Sequence, residues 1–264
     1  MAPTSDPAAG SVWLRPDRSR RGRPQLSRDE IVRAAVELLD AEGLDGLSMR
    51  RLAAMIGAGA TSLYFYVANK DELLELVLDE VMGEVAVPDV AGGDWRAAAA
   101  EFSRGMRAMI LRHPWTTAIL GEQPNIGPRA MRTSDRAIAM FRAAGFRGPE
   151  IAWAGSLLMS HAVGTATGEV AYRRVAARSG ADGDQVGEQL GPYLEQAGAA
   201  YPNFLEWWRE NRDRAVDMRQ NHDDTFEFGL RRLLDGLEAW LTAPPTEDAK
   251  PREESAEDAE GAGD

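Results

Sequence analysis

The stretch Thr61-Ser62-Leu63-Tyr64-Phe65-Tyr66 sets two hydroxyl side chains and three aromatic rings within six residues, and Lys70 follows four positions on. Hydroxyls and phenols at this density suit hydrogen bonding to a phosphate oxygen or a base edge. Bond-breaking chemistry is not on offer. There is no cysteine, and the three histidines, His113, His161 and His222, lie far apart without an HxxxH or HExxH pair. No metal and no cofactor is therefore expected. An α-helical enzyme, lacking a phosphate loop or a framed carboxylate pair, is the weakest of the readings.

Such residues act only if a helix turns them outward together. Leu63 and Val67 stand four apart and predict the core side of a short helix over 60–67, leaving Thr61, Ser62, Tyr64 and Tyr66 on the wet side. Phe65 either touches a thymine methyl or plugs the core. A second short helix is predicted over 48–56, with Leu52, Ala53 and Ile56 inward, and Gly57-Ala58-Gly59 joins the two. Two short helices joined by a glycine-containing turn define a helix-turn-helix, whose second helix enters the major groove amino end first. A helix over 28–41 precedes them, closed by Gly43. Asn69 caps a fourth, with Leu73, Leu74, Val77, Leu78, Val81 and Val85 as one stripe. Four starts pair a capping residue with a glutamate three later: Ser27/Glu30, Asn69/Glu72, Asn203/Glu206 and Asp224/Glu227.

The run LSRDEIVRAAVELLDAEGLDGLSMRRLAAMIGAGATSLYFYVANKDELLELVLDEV, residues 26–81, closely resembles the DNA-binding region of TetR-family transcriptional regulators. The helix ending in EG, the LSMRRLA helix and the TSLYxYxxNKxELL run occur in the family's order and spacing. The segments RHPW and FEFGLRRLLDGLEAWL are similar to the ligand domain of the tetracycline repressor branch. The resemblance implies an all-α chain with an N-terminal three-helix DNA-binding domain and a larger helical domain for ligand binding and dimerisation. It implies phosphate or base contact by Ser48 and Arg50, base reading by Ala60, Thr61 and Ser62, phosphate contact by Tyr64 and Tyr66, and a backbone clamp at Lys70. Members often carry a longer polar reader near position 60. Gly59-Ala60 here shifts weight toward the shape of the duplex.

The expected partners are double-stranded operator DNA, a small-molecule effector and a second copy of the chain. The function expected is repression relieved by the effector; the alternative is a DNA-binding regulator controlled by a protein partner. Net charge is −12, which argues against a uniformly basic binder, but the charge is uneven. Six arginines and one aspartate fall between Arg15 and Arg28, against eight acidic and two basic side chains from Pro244 to Asp264. Residues 1–22 read as a flexible basic arm able to lie in a minor groove or along phosphate, 23–70 as the DNA-binding domain, 71–86 as a connecting helix, 87–242 as the larger domain and 243–264 as a disordered acidic tail. The absence of cysteine and of an apolar leader fits a cytoplasmic location.

In the larger domain, Trp95, Ala98, Ala99, Phe102, Met106, Met109 and Ile110 predict one helix face, and Pro114 interrupts it. Pro128 opens a helix with Met131, Ile138 and Phe141 inward, closed by Gly145. Residues 151–168 hold no Asp, Glu, Lys or Arg, but their Ser, Thr and His content predicts a helix buried by protein rather than a membrane span. The segment 177–191 reads as mobile. A last helix is predicted over 225–241. The helices over 150–175, with Gly164 and Gly168 four apart, and 225–241 are the dimer candidates. His113, Trp115, Trp153, Met159, His161, Thr165 and Trp207 are candidate lining for an effector pocket, although packing explains each one singly, and His161 reads best as a satisfied core histidine.

Overall fold

The structure, a computed structural model, describes residues 11–14, 26–88, 93–123, 125–179, 183–216 and 218–242. Helix α1 (Arg28–Gly46) starts at a full capping box: Ser27 Oγ accepts from Glu30 N at 3.1 Å, and Glu30 Oε2 accepts from Ser27 N at 2.7 Å. Its helical geometry breaks at Gly43, whose φ of 70° is cheap only for glycine. Helix α2 (Met49–Met55) is capped by Ser48, and α3 (Ala60–Tyr66) follows. The turn between them closes α2 with paired bonds, Ala58 N to Ala53 O and Gly57 N to Ala54 O, with Gly57 at φ 66°. That is a Schellman ending, which ties off two carbonyls and sets the direction of α3. Ile31, Ala35, Leu39, Leu52, Leu63 and Val67 are all buried and build the small core.

Helix α4 (Lys70–Met82) begins at Asn69, whose Oδ1 accepts from Glu72 N. It ends three residues before the predicted Val85, which is buried beyond the helix end. The apolar stripe is present, but α4 is buried nearly all round, including Glu72, Glu75 and Asp79. It packs on α1 at one side and on α6 (Pro128–Ala144) at the other. Helix α5 (Trp95–Arg112) buries its predicted face against α6 and α7 (Pro149–Ser179). The chain then makes a 3-10 turn over Pro114–Ala118.

Several expectations are corrected. In α6, Met131 is 62% and Ile138 41% exposed, while Ala130, Thr133, Met140 and Phe141 are buried. Phe141 is inward as expected, but Met131 and Ile138 are not, and Ala130, Thr133 and Met140 take the buried face with it. Gly145 does close the helix, at φ 116°, in a second Schellman ending whose flanking Phe141 and Phe146 rings meet edge-on at 5.7 Å. Most of the segment read as mobile is helical, in α8 (Gly183–Gly198), which pairs with α9 (Pro202–Val216). Asn203 lies inside α9 and Asp224 inside α10 (Met218–Thr242), so neither is a cap. Helix α10 starts seven residues earlier than its apolar period suggests and packs along α7.

The uncharged part of α7 is buried on one side by protein, through Ala154, Leu158, Ala162 and Ala166. Among the described residues no helix is long and apolar enough to cross a membrane. The first charge after that stretch, Glu169, is 3% exposed and meets Arg107 of α5 at 2.7 Å. Arg107 also reaches Asp223 of α10 at 2.6 Å and lies over the Phe226 ring. Burial works against its charge, but the hydrogen bonds to Asp223 and Glu169 outweigh that and raise its pKa. Of the predicted outer segments, residues 1–10, 15–25 and 243–264 lie outside the described residues. Residues 11–14, within the expected arm, are folded against α4 and bury Ser11 and Val12.

Candidate nucleic-acid interface and cavity

Helix α3 is pinned from behind. Leu63 and Val67 are fully buried, and at about 100° per residue Thr61 and Phe65 lie directly opposite them. Thr61, Ser62, Tyr64 and Phe65 are exposed, Tyr64 by 52% and Phe65 by 50%. Phe65 thus does not plug the core. Tyr66, expected on the wet side, is partly buried: it sits on the flank, packs on the core and meets Phe65 edge-on at 5.2 Å. Ala60 is the first residue of α3, at the end that leads into a groove.

The flanking groups surround this head. Ser48 spends an oxygen lone pair on Arg51 N at 3.3 Å and keeps its O–H to donate. Arg50 is exposed on the same first turn, and Arg51 is paired to Glu42. Lys70 donates through Nζ to Leu44 O at 3.1 Å, which holds a cation beside the amino end of α4. Two more N–H donors remain on that ammonium, and the helix dipole adds positive potential there.

The far end of α4 reaches different chemistry. A cavity of about 550 Å³ lies between Met82 of α4, Phe102 of α5, the α6 residues Thr133, Ser134, Ile138, Phe141 and Arg142, and Ile151, Ser156 and Met159 of α7. Its lining is mainly apolar with a few hydroxyls and one guanidinium, the make-up of a small-molecule pocket. Of the seven pocket candidates read from sequence, Met159 lines it. Pattern alone missed the rest because α6 turns Ser134, Ile138 and Arg142 toward α7, a fact of packing rather than periodicity.

The other candidates sit elsewhere. His113 is buried with Nδ1 at 2.7 Å from Asp40 and Nε2 at 3.1 Å from Glu84, and Trp115 Nε1 donates to the same Asp40 at 2.7 Å. That pair joins the end of α5 to α1. His161 donates through Nε2 to Phe226 O at 2.9 Å and stacks on its ring, a satisfied packing role. Thr165 returns its hydroxyl to His161 O. Trp153 is 59% and Trp207 55% exposed, on α7 and α9. Among the described residues no three His, Asp or Glu side chains gather as a metal ligand set.

Residues 31–77 match the profile "Bacterial regulatory proteins, tetR family", and residues 87–241 match "Tetracyclin repressor-like, C-terminal domain". The chain is 42% identical over 170 residues to an HTH-type transcriptional regulator of Saccharopolyspora erythraea, spanning 64% of this chain and 72% of that one. It is 37% identical over 231 residues to the HTH-type transcriptional repressor DrrR1 of Streptomyces coeruleorubidus, spanning 86% and 83%. Its fold overlays the Streptomyces coelicolor TetR family protein ActR, solved in complex with actinorhodin, with a TM-score of 0.69 and 33% identity, across 83% of this chain and 98% of that one. With a helix-turn-helix whose polar face is open and a second helical domain matched along its length, the chain belongs to the tetR family of bacterial regulators, DNA-binding transcription factors.

Proposed function

We propose that the chain is a homodimeric repressor released from its operator by a small molecule held in the α4–α7 cavity. The observation that carries this is that one helix serves both sites. Lys70, the first residue of α4, borders the reading head, and Met82, its last, is a wall of the cavity. Thirteen residues at 1.5 Å each make a lever about 20 Å long. An occupant that displaces Met82 tilts α4 and with it α3. Release follows only if the compound binds the tilted state more tightly than the DNA-competent one.

The two-fold partner is supported by α7 and α10. Trp153, Leu157, Phe228 and Trp240 are exposed there, and a groove of about 300 Å³ runs between Trp153, Leu157, Leu233 and Trp240. Glycines 164, 168 and 236 touch nothing in their own chain where a side chain would begin, so a second backbone has room to approach. Trp153 is read here as an interface residue, not as pocket lining.

The neighbour solved with actinorhodin makes that compound the first probe. A duplex recovered by selection from a random pool with the purified protein supplies the operator. Titrating actinorhodin and related ring compounds into that complex should weaken it about 5- to 150-fold for a true effector. Compounds that saturate the cavity yet leave DNA affinity unchanged would remove release from the proposal.

A further inference from the structure

The residues just before the arginine run are tied to the lever. Ser11 Oγ donates to Glu75 Oε2 at 2.7 Å, and Val12 N donates to the same oxygen at 3.3 Å. Ser11 is 1%, Val12 6% and Glu75 5% exposed. Among the described residues these two groups are the only hydrogen-bond donors to Glu75, so removing them strands a carboxylate inside the domain. Stranding a buried acceptor costs its full desolvation and draws water to the α4 surface.

The next residue extends the tie to α6. A Cβ on Gly127 would lie 2.5 Å from the Trp13 ring and 2.3 Å from Asp79 Oδ1, so this glycine is what lets ring, carboxylate and helix start meet. Asp79 in turn accepts from Arg129 N at 3.0 Å and Ala130 N at 2.9 Å and caps α6 from α4. Residues 11–13, α4 and the entry of α6 therefore form one joint, on the helix that borders both the reading head and the cavity. The joint is not locked: Trp13 Nε1 is buried without a hydrogen-bond partner, which gives back part of what the docking gains.

We infer that Ser11–Trp13 is a cis-acting strap that holds α4 in place, so that the amino-terminal segment tunes how readily the lever moves. A helix held in one position loses less freedom on binding DNA, and preorganisation of this kind raises affinity without adding a contact.

The test uses the full chain with Ser11→Ala and Trp13→Ala combined, and separately Val12→Asp. Amide exchange should quicken about tenfold over residues 75–82 and 128–131, and stay unchanged over 158–170 of α7. Affinity for the selected duplex should fall about fivefold with an unaltered salt slope, because no phosphate contact is removed. Unchanged exchange in α4 overturns the strap. Quickened exchange with unchanged DNA affinity reduces it to local packing and overturns its regulatory role. A flatter salt slope assigns the effect to lost phosphate contacts and overturns it as well. The DNA measurements rest on the repressor reading and the exchange measurements do not. If the wild-type chain selects no duplex, that reading fails, and exchange alone decides whether the strap holds α4.

Discussion

Lys70 carries a single exposed-side charge whose position is set by Leu44 O, so its effect on DNA should be purely electrostatic. Lys70→Met keeps the aliphatic stem and removes the charge. Binding should weaken alike for every sequence, with the slope of log affinity against log salt reduced by about one, read by anisotropy at several salt concentrations. Loss confined to one base pair would contradict the clamp. Thr61→Ala should do the reverse, costing about 1–3 kcal/mol at one base position and leaving the slope alone. These residues were legible in the chain because period 3.6 separates Leu63 and Val67 from their neighbours. Tyr66 was less so: a residue on the flank of a helix is wet or dry according to its neighbours, and here the small core claims it. A second residue-scale expectation concerns pH. Burial is the largest influence on His222 and lowers its pKa from 6.5, with Arg107 adding to that and Glu169 opposing it. The folded chain then holds fewer protons on this ring than the unfolded chain between the lowered value and 6.5. Stability from this group is complete above 6.5 and is lost as pH falls through that window. Melting temperature should drop on acidification from pH 7.5 toward 5.5, and His222→Asn should make the drop smaller. An equal drop in both proteins would assign it to other groups.

At the scale of helices, α4 is held by acids that sequence reasoning places in water. A period of Leu and Val marks the buried stripe, and charged neighbours are assigned by default to the solvated side. Here Glu75 and Asp79 are 5% and 3% exposed, because residues 11–13 and α6 cover the second face of α4. No local pattern carries that information; it depends on segments about 50 and 64 positions away. The same limit hid all of the inner face of α6 but Phe141, and the early start of α10. The four helices over 28–82, the turn at Gly57–Gly59 and the caps at Ser27 and Asn69 depend on near neighbours and were legible, whereas the helix over 183–198 was not. The acid column gives a sharp contrast. Burial pushes the Asp79 pKa up, while the Ala130 and Arg129 amides pull it down by less. Asp79→Asn keeps one oxygen to accept from both amides and drops the cost of a buried charge, so it should change stability by no more than about 1 kcal/mol. Asp79→Ala leaves both amides unmet and should cost about 1–3 kcal/mol. Equal losses in denaturant melts of the two variants would show that Asp79 does not cap α6. In the larger domain, Arg107→Met leaves Glu169 with the half-exposed Arg173 as its one ion-pair partner among the described residues and should cost about 3–5 kcal/mol.

For the whole molecule, the question is how two reading heads are set one helical turn of DNA apart. A helix-turn-helix dimer needs its recognition helices about 34 Å apart, so anything that loosens the dimer acts on DNA at a distance. In the proposed dimer the burden falls on α7 and α10, which pack on each other and still leave Trp153, Leu157, Phe228 and Trp240 in water. Large apolar side chains clustered on two adjacent helices are costly for a lone subunit and mark an interaction face. None of the four lines the cavity or belongs to α1–α4, so charging this face tests association without altering a residue of either site. Trp153→Glu with Phe228→Glu should convert the particle measured by light scattering from two chains to one. Circular dichroism should be unchanged, because both side chains are already solvated in the single chain. Affinity for the two-half-site duplex should fall by at least a hundredfold, while binding to a single half-site should match wild type, since α3 and Lys70 are untouched. A variant that remains two chains would move the interface to another face, with the exposed aromatics Tyr193, Tyr201 and Trp207 on and beside α8 and α9 next in line. A variant that becomes one chain yet holds the full duplex as tightly as before would show that each head reads DNA alone, and the α4 lever would then have no partner head to pull out of register.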